Sequence, residues 1–563
     1  MLRVRSLGRV PYEEAFALQR ALAEHAADDY LLVLEHPAVF TLGVRADPGH
    51  VLVDPAAVGA GLVRTNRGGD VTYHGPGQLV LYPIVTVAST PAAGREHVGR
   101  LEQVVIDALC DLGVADRCGG VGRLPGFPGV WVGPTGPVPR KIAAVGVRVV
   151  RGNDGRRRTL HGVAINVDCD LSMFDHIVPC GISELPVTSL AHEGVPVALA
   201  EVEAAVLARA VAAWSAGSAD RQSVGAPRSS PAPTAAGSIN AAPTGAVSVE
   251  RPLLRRLRQA GVDPDAGLAM VSRKPPWLRA PVRIGADVLA LGRTIRELGL
   301  ATVCEEAGCP NLSECWSDGT DTFMVNGSRC TRACGFCLVD TRHPLPLDES
   351  EPERVATAVE AMGLEHAVVT CVARDDLVDG GAGAIAATVA AIRRRRPSTV
   401  VETLISDCKG DEGSLARILG ARPDILNHNI ETVARLQRAV RPSAGYARSL
   451  AVLARAATAG LVTKSGLMVG LGETQREVIG TLADLAGVGV SIATIGQYLR
   501  PSRDHLPVAR YWSPEEFDSL KGAGLALGLA HVEAGPLVRS SYHARQAADA
   551  VPVTLGPRGR RAG

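Results

Sequence analysis

Three features that would each indicate a particular class of protein are absent from this 563-residue chain. It has no run of 18 apolar residues, which excludes an ordinary membrane-spanning helix. Its 59 basic and 58 acidic residues leave a net charge of +1, so no overall charge favours nucleic acid or an anionic membrane. Its 12 cysteines are too sparse for a disulfide scaffold of this length. We therefore expect a soluble protein with a sizeable core.

The start of the chain also has no secretory signal, because Glu13 and Glu14 precede any apolar run of the required length. We expect the protein to stay in the cytoplasm. Half of its cysteines lie between Cys304 and Cys337. In a reducing compartment, thiols clustered in this way indicate metal ligands or catalytic groups.

Residues 214–250 consist mainly of Ala, Pro, Ser, Gly and Thr and show no apolar periodicity. This composition predicts a flexible linker between a domain at residues 1–213 and a domain at residues 251–563. A flexible chain of about 35 residues spans roughly 30–35 Å, so it would tether the two domains without fixing them together.

Both halves show the pattern of α/β domains. The first mixes strand-like apolar runs with helix-like stretches and predicts a single α/β domain. The second contains six strand-like runs, most of them followed by a helical stretch, which predicts parallel βα units closing fully or partly into a barrel. Such barrels place their chemistry at the C-terminal ends of the strands. Polar residues are expected there at Asn427, His428, Asn429, Lys464, Ser465, Gln497 and Tyr498.

The most specific motif of the second half follows its first predicted strand. Cys330, Cys334 and Cys337 have the spacing Cys-x3-Cys-x2-Cys. Three thiolates on a short loop can hold three irons of a four-iron cluster and leave the fourth iron open, whereas a structural zinc site requires four ligands. The spacing, with Phe336 before the last cysteine, resembles the radical S-adenosylmethionine superfamily. In that superfamily the open iron binds S-adenosylmethionine, which one electron cleaves to a 5′-deoxyadenosyl radical.

A second triple lies just upstream, where Cys304, Cys309 and Cys315 have the spacing Cys-x4-Cys-x5-Cys. This segment, together with the motifs NHNIETV, TKSGLMVGLGET and GPLVRSSYHA, resembles lipoyl synthase over nearly all of residues 285–545. The resemblance implies two [4Fe-4S] clusters and S-adenosylmethionine, with Ser541 as the fourth ligand of the second cluster. An oxygen ligand is harder than thiolate and more readily lost, which suits a cluster that gives up its sulfides.

The chain departs from the commonest lipoyl synthase pattern at Leu338, Cys371, Ala373 and Arg500, none of which is a proposed iron ligand. These positions bear on the contacts to cofactor and peptide. Cys371 and Cys408 lie in predicted strand segments, and we interpret both as small buried apolar residues.

In the first half, Cys180 lies between Pro179 and Gly181, a setting that favours an exposed loop. Lys141 is a candidate activator, since a nearby cation lowers the pKa of a thiol and a neutral lysine can act as a base. On spacing alone, Lys141 can equally be a solvent-exposed strand residue, and Cys180 an inert core residue.

Around these residues, the motifs RGGDVTYHGPGQ, RKIAAVGVRV, HGVAINV and VPCGI resemble the octanoyltransferase family over about residues 1–213. The resemblance implies the fold of biotin and lipoate protein ligases, an acyl-thioester on Cys180 and its pairing with Lys141. It also implies an acyl-binding site, in which Arg67 and His74 orient the thioester. The residues of that site are Arg67, Gly68, Gly69, Asp70, Val71, Thr72, Tyr73, His74, Ala144, Val145, Gly146, Gly162, Val163 and Ala164. Whether His74 also moves protons is left open.

The two resemblances describe consecutive steps of one pathway and predict a fusion of both enzymes. Octanoyl would pass from acyl carrier protein through Cys180 to a lysine on a lipoyl domain of a 2-oxoacid dehydrogenase or on the glycine-cleavage carrier protein. Two sulfurs would then be inserted at C6 and C8, with electrons from a donor such as ferredoxin or flavodoxin. The alternatives are an ATP-dependent lipoate ligase in the first half, and an iron–sulfur sensor or scaffold with no enzymatic activity.

Overall fold

The computed structural model describes residues 1–179, 185–215, 218–224, 251–270, 273–279, 286–303, 309, 311–317 and 320–551. The chain divides into two compact units, Met1–Ser248 and Val249–Gly563. Both contain helices and sheets, and the α/β class predicted for each half is confirmed. No helix in the described ranges is long and apolar enough to cross a membrane.

The described residues of the first unit form a nine-stranded sheet and a three-stranded sheet. The larger sheet has the order β12-β1-β2-β6-β11-β10-β9-β8, with β7 paired to β11, and the smaller has the order β4-β3-β5. The strands are β1 Leu2–Arg9, β2 Asp29–Glu35, β3 Val39–Leu42, β4 Gly61–Arg64, β5 Val71–His74, β6 Gln78–Ile84, β7 Thr86–Val87, β8 Val121–Leu124, β9 Phe127–Val132, β10 Arg140–Arg151, β11 Arg157–Asn166 and β12 Ala219–Ser223. The helices are α1 Tyr12–His25, α2 Ala93–Asp111, α3 Val114–Arg117 and α4 Leu199–Trp214.

The core of this unit lies between the large sheet and helices α2 and α4. Leu101, Val105 and Leu109 repeat at helical spacing on α2, and Val202 and Val206 do so on α4. These side chains are buried against the apolar face of the sheet. Burial of one stripe on each helix produces the apolar periodicity of the helix-like stretches in the first half of the sequence.

Strand β12 lies inside the segment predicted to be linker. It pairs in parallel with β1, and Asp220 accepts from Arg5 at 2.9 Å and from Arg3 at 3.1 Å. All three side chains are buried. The predicted boundary at residue 213 is therefore too early, because ion pairing to β1 stabilises a polar strand that has no apolar pattern.

The described residues of the second unit form an eight-stranded sheet whose strands are in sequence order. Strands β14 to β20 are parallel, β13 is antiparallel to β14, and the sheet is open at β13 and β20, as a partial barrel requires. The strands are β13 Ala301–Thr302, β14 Thr320–Val325, β15 His366–Cys371, β16 Val400–Leu404, β17 Ile425–Asn427, β18 Val462–Val469, β19 Ile492–Gln497 and β20 His531–Gly535. The helices are α5 Pro252–Gln259, α6 Ala286–Glu297, α7 Leu312–Ser317, α8 Glu351–Ala361, α9 Ala382–Arg395, α10 Glu412–Gly420, α11 Gln437–Val440, α12 Tyr446–Thr458, α13 Gln475–Gly487, α14 Pro514–Ala526 and α15 Ala544–Asp549.

The two faces of this sheet differ in polarity. On one face, alternate residues such as Val369 and Val401 pack with α8 and α9 in an apolar core. The other face carries a buried ionic cluster, in which Lys464 Nζ lies 3.0 Å from Glu402 Oε1. The same carboxylate accepts from Asn427 Nδ2 at 2.9 Å and lies 3.5 Å from His366 Nε2.

Removing the cation of this cluster should destabilise the second unit in a pH-dependent way. Burial alone raises the pKa of Glu402, but Lys464 and His366 together bring it below its usual value. In Lys464→Met the carboxylate remains buried without its cation, so we expect a loss of about 3–5 kcal/mol in the free energy of unfolding. Its pKa should then rise above normal, so the variant should lose further stability as the pH increases from 5 to 8.

The measurement is hydrogen exchange of peptides from β16 and β18 at increasing urea concentration. The double variant Lys464→Met/Glu402→Gln is the control, because it removes the unpaired charge and should lose the pH dependence. Equal exchange in the wild type and Lys464→Met at pH 8 would show that the ion pair does not stabilise the sheet.

Candidate active sites

A pocket in the first unit, partly open to solvent, lies where β5, β6, β10 and β11 meet the loop before β5. Twelve of the residues predicted to bind the acyl chain line it: Arg67, Gly68, Gly69, Asp70, Thr72, His74, Ala144, Val145, Gly146, Gly162, Val163 and Ala164. Gly162 is required by close packing, since a Cβ there would collide with the Leu81 carbonyl oxygen. The structure thus brings three distant sequence segments to one cavity.

Val71 and Tyr73 were predicted to bind the acyl chain, but they do not line the pocket. Side chains alternate along β5, so Thr72 and His74 face the cavity while Val71 and Tyr73 face the opposite side. There Tyr73 packs with its ring centroid 5.5 Å from that of Phe174. Val71, Tyr73 and Phe174 belong to a small apolar core.

Two buried histidines, His74 and His161, line the pocket, and the ring centroid of a third, His36, lies 5.6 Å from that of His74. Burial lowers the pKa of His36 to about 4, and burial together with Arg67 lowers the pKa of His161 to about 3. Burial, with His36 and Arg67, also lowers the pKa of His74 well below its usual value. At neutral pH these rings are uncharged, so they act as hydrogen-bonding groups.

Arg67 was predicted to orient the thioester end of the substrate. Its guanidinium donates to the Thr41 hydroxyl and carbonyl and to the Gly68 carbonyl, at 2.5–3.1 Å. These bonds attach the loop before β5 to β3. Arg67 therefore fixes the position of the loop that forms one wall of the pocket, and its own side chain is part of the lining.

Lys141 lies on β10, a few residues before the pocket-lining Ala144, and its side chain is only 7% exposed. Its Nζ lies 4.8 Å from the ring centroid of Trp131, close enough for a cation–π contact. Its backbone N–H donates to Pro186 O and its carbonyl accepts from Thr188 N, both at 2.9 Å. Lys141 is therefore a buried residue rather than a solvent-exposed strand lysine.

Cys180, the predicted nucleophile, lies outside the described residues. The chain on either side of it is held in place. Val178 N donates to His50 O at 2.8 Å before the cysteine, and Thr188 pairs with Lys141 after it. The described residues on either side of Cys180 are thus bonded to the loop of His50 and to the strand of Lys141.

Sequence reasoning missed four residues that line the pocket: Tyr12, Val80, Tyr82 and His161. Val80 and Tyr82 alternate on β6, and His161 precedes the predicted Gly162, so strand alternation offered a signal for these three. His161 has a φ of +61°, unusual for a residue with a side chain, and its Nε2 lies 2.7 Å from Asn66 Oδ1. It also missed His50, whose Nδ1 lies 2.6 Å from Asp70 Oδ2.

In the second unit, the loop of Cys330, Cys334 and Cys337 follows β14 directly, at the C-terminal edge of the parallel sheet. Hydrogen bonds attach it to neighbouring elements: Cys330 N to Asp340 O at 2.8 Å, and His505 Nε2 to Cys337 O at 2.9 Å. Arg332, inside the loop, donates to Asp375 at 2.7 Å and to Asp407 at 2.6 Å. The three cysteines are thus held where such barrels place their chemistry.

The donor set of this loop fits a cluster of several irons. Burial raises the pKa of the Cys334 thiol to about 12 and also raises that of Cys337, so a bound cation is needed to hold them as thiolates. Within the described residues, no three His, Cys, Asp or Glu side chains are arranged to hold a single metal ion. In a four-iron cluster each thiolate binds a different iron, so its ligands need not converge on one point.

The structure brings two members of the second cysteine triple to the segment around Ser541, while Cys304 lies outside the described residues. Asn311 Nδ2, between Cys309 and Cys315, donates to Leu537 O at 2.6 Å. Burial lowers the pKa of Arg539, and the Cys309 sulfur offsets part of that shift. Thr322 Oγ1 donates to Ser541 Oγ at 3.0 Å. This neighbourhood fits a second cluster with an oxygen ligand.

Several polar residues predicted at the strand ends make structural contacts instead. Lys464 belongs to the buried cluster with Glu402, and the His428 ring lies 2.9 Å from Ile405 O and 3.0 Å from Ser449 Oγ. Tyr498 donates to Leu506 O at 2.8 Å. Asn429 does lie near the predicted site, because its Nδ2 donates to Ser540 Oγ at 2.7 Å.

Comparison with known proteins matches the two units to different families. A lipoyl synthase from Rubrobacter xylanophilus is 55% identical over 289 residues, which cover 51% of this chain and 90% of that protein. A lipoyl synthase from Mycobacterium avium is 54% identical over 284 residues, which cover 50% of this chain and 92% of the relative. The chain belongs to the lipoyl synthase family. The radical SAM superfamily model matches residues 324–485, within the lipoyl synthase unit.

The first unit matches a different family model, that of the lipoyl protein ligase A/B catalytic domain, over residues 11–210. A solved bi-partite lipoate protein ligase from Thermoplasma acidophilum, described with its E2 lipoyl domain, is 18% identical with a TM-score of 0.32. That match covers 39% of this chain and 88% of the solved chain.

The chain is therefore an enzyme with a ligase- or transferase-type unit followed by a lipoyl synthase unit. Membership of the radical SAM superfamily implies iron–sulfur chemistry and S-adenosylmethionine in the second unit. Cys371 and Cys408 pack in the apolar core of the lipoyl synthase unit, and burial raises their pKa to about 12 and about 11. They have the environment of small buried apolar residues.

Proposed function

We propose that this chain builds a protein-bound lipoyl group in two consecutive reactions. The first unit transfers octanoyl from acyl carrier protein to a lysine on a lipoyl domain of a 2-oxoacid dehydrogenase or on the glycine-cleavage carrier protein. The lipoyl synthase unit then inserts sulfur at C6 and C8 of that chain. The observation that carries the proposal is the pocket lined by strand β10, which also carries Lys141, in a chain that contains nearly the whole of a lipoyl synthase.

The pocket suits an eight-carbon acyl chain. Val80, Val145 and Val163 supply apolar wall, and the small residues Ala144 and Ala164 leave room between them. Arg67, His74 and His161 in the lining give the polar end of the substrate hydrogen-bonding partners.

Cys180 is the proposed nucleophile and Lys141 its base. The Cys180 sulfur attacks the thioester carbonyl, the bond to the carrier sulfur breaks, and the proton of Cys180 passes through Lys141 to the departing thiolate. The amine of the acceptor lysine then attacks the Cys180 thioester. Its surplus proton returns through Lys141 to the Cys180 sulfur as the amide forms. Burial next to Trp131 restricts the Lys141 side chain and keeps it out of bulk solvent.

In the lipoyl synthase unit, Cys330, Cys334 and Cys337 would hold one [4Fe-4S] cluster with an iron left for S-adenosylmethionine. Cys304, Cys309, Cys315 and Ser541 would hold a second. When bound, the first cluster supplies the electron that cleaves S-adenosylmethionine, and the second supplies sulfur. The chain's own part is to position these groups: Thr322 holds Ser541 and Asn429 holds Ser540, so the serine pair is attached to β14 and to the end of β17. A protein such as ferredoxin or flavodoxin would provide the electrons.

Mass spectrometry of an acceptor protein tests the complete reaction. An apo lipoyl domain is incubated anaerobically with octanoyl-acyl carrier protein, the reconstituted chain, S-adenosylmethionine and a reductant. We expect the lipoyl domain first to gain an octanoyl group and then to exchange two hydrogens for two sulfurs. Omitting S-adenosylmethionine should stop the reaction at the octanoyl form, whereas a lipoyl domain that stays unmodified in every mixture contradicts the proposal.

The alternative for the first unit is an ATP-dependent ligase, because the matching family model covers both ligases and transferases. A ligase would use free octanoate or lipoate with ATP and would not need Cys180. The same assay with free acid and ATP in place of octanoyl-acyl carrier protein separates the two. Modification by Cys180→Ala under those conditions would establish ligase activity.

A further inference from the structure

A chain of three buried side chains runs from the pocket of the first unit to the segment paired with Lys141. His74 Nδ1 lies 2.7 Å from Gln78 Oε1, and Gln78 Nε2 lies 2.8 Å from Asn166 Oδ1. Asn166 Nδ2 lies 2.9 Å from the Thr188 carbonyl oxygen. His74, Gln78 and Asn166 are 6%, 2% and 4% exposed, so water does not compete for these bonds.

We call His74, Gln78 and Asn166 the relay. The direction of each hydrogen bond in the relay is fixed by the backbone carbonyl groups that its side chains contact. The Thr188 carbonyl can only accept, so Asn166 must turn its NH2 group toward Thr188 and its oxygen toward Gln78. Gln78 must then donate to Asn166, and its NH2 group also meets the Tyr73 carbonyl oxygen at 3.2 Å. The Gln78 oxygen is therefore left for His74, whose Nδ1 must carry the hydrogen.

A neutral imidazole carries one hydrogen, so His74 Nε2 keeps a lone pair. The Nε2 edge of the ring points away from Gln78, and His74 lines the pocket while Gln78 does not. At the far end of the relay, Thr188 N donates to Lys141 O. The segment that contains Thr188 thus bonds to the relay that orients His74, and it also pairs with the strand that carries Lys141.

We propose that Gln78 and Asn166 are positioning residues that hold His74 in its Nδ1–H form, so that its Nε2 accepts a hydrogen bond from the substrate. The group it receives is an N–H or S–H, such as the incoming lysine amine or the departing carrier thiol, and a carboxylate is disfavoured there. This assignment rests on the proposed transferase function. The hydrogen position in the free enzyme can be measured independently of that function.

The test is nitrogen NMR of the full chain labelled with 15N-histidine, since protonated and unprotonated ring nitrogens have well-separated shifts. The signals of His74 are identified as those missing in His74→Ala. In the wild type we expect Nδ1 to be protonated and Nε2 unprotonated. In Gln78→Met, which keeps the length but removes the acceptor, the hydrogen should redistribute toward Nε2. Asn166→Ala should have the same effect, and it serves if Gln78→Met does not fold.

The kinetic counterpart is kcat/KM for octanoyl transfer. Loss of one hydrogen bond to an uncharged partner should lower it roughly five- to tenfold in Gln78→Met. In a His74→Ala background the same change should have no further effect, since Gln78 acts through His74. Gln103→Met is the matched control, because Gln103 is exposed and bonds only to Asp107 among the described contacts.

A wild-type His74 protonated on Nε2, or an unchanged hydrogen position in both relay variants, would overturn the proposal. Additive losses in Gln78→Met and His74→Ala would also overturn it. If the NMR result is as expected but octanoyl-acyl carrier protein is not a substrate, the relay holds His74 as stated and the transferase function is what fails.

Discussion

Replacing Cys180 by alanine should abolish octanoyl transfer and lower the rate by at least roughly a thousandfold. The reason is that the acyl group is proposed to pass through a thioester on this sulfur, and alanine carries no nucleophile. The measurement is the intact mass of the protein after incubation with octanoyl-acyl carrier protein alone. The wild type should gain one octanoyl group and Cys180→Ala none.

Two variants separate the roles of cysteine and lysine in that step. Cys169→Ala is the matched control, because Cys169 lies in the same unit and burial raises its pKa to about 12, so it should not be acylated. Lys141→Ala should slow acylation of Cys180 without preventing substrate binding. Acylation at the wild-type rate in Lys141→Ala would remove lysine from the mechanism, and an octanoyl group on Cys180→Ala would place the nucleophile elsewhere.

Removing the two cysteine triples separately should have opposite effects on the lipoyl synthase unit. Replacing Cys330, Cys334 and Cys337 together by alanine should abolish cleavage of S-adenosylmethionine, since no iron would remain to bind and reduce it. Replacing Cys304, Cys309 and Cys315 should leave 5′-deoxyadenosine formation intact and stop sulfur insertion. Chromatography of the nucleoside product and the mass of an octanoyl-lipoyl domain measure the two steps.

Iron content provides a readout that does not depend on activity. Two four-iron clusters predict about eight irons per wild-type chain and about four in either triple variant. The double variant Cys371→Ser/Cys408→Ser is the control, because these buried thiols should hold no iron. A wild-type content near four after anaerobic reconstitution would contradict the presence of two clusters.

Much of this protein was predictable because its chemistry depends on short local motifs. The spacings of Cys330, Cys334 and Cys337 indicate an iron–sulfur cluster without reference to the fold, since ligands on one loop need only the right number of residues between them. The segments at residues 67–74, 144–146 and 162–164 were predicted to form one acyl-binding site because they resemble the octanoyltransferase family, and most of their residues line one pocket. Apolar periodicity similarly predicted the parallel strands of the second unit.

Three features were decided by the tertiary structure alone. Strand alternation turns Val71 and Tyr73 away from the pocket, whereas Tyr12 of helix α1 enters it only because α1 packs against the sheet. Strand β12 forms in a polar segment because two buried arginines of β1 meet Asp220, a contact between residues more than 200 positions apart.

The His74 relay has the same origin. Its hydrogen positions depend on the backbone carbonyls of Thr188 and Tyr73, which meet the Asn166 and Gln78 side chains only after the sheet has formed. The sequence by itself therefore determined which reactive groups the chain carries and how they are spaced along it. Only the tertiary structure decided which faces these groups share and which proton each one holds, because burial, strand direction and long-range hydrogen bonds are properties of the folded chain.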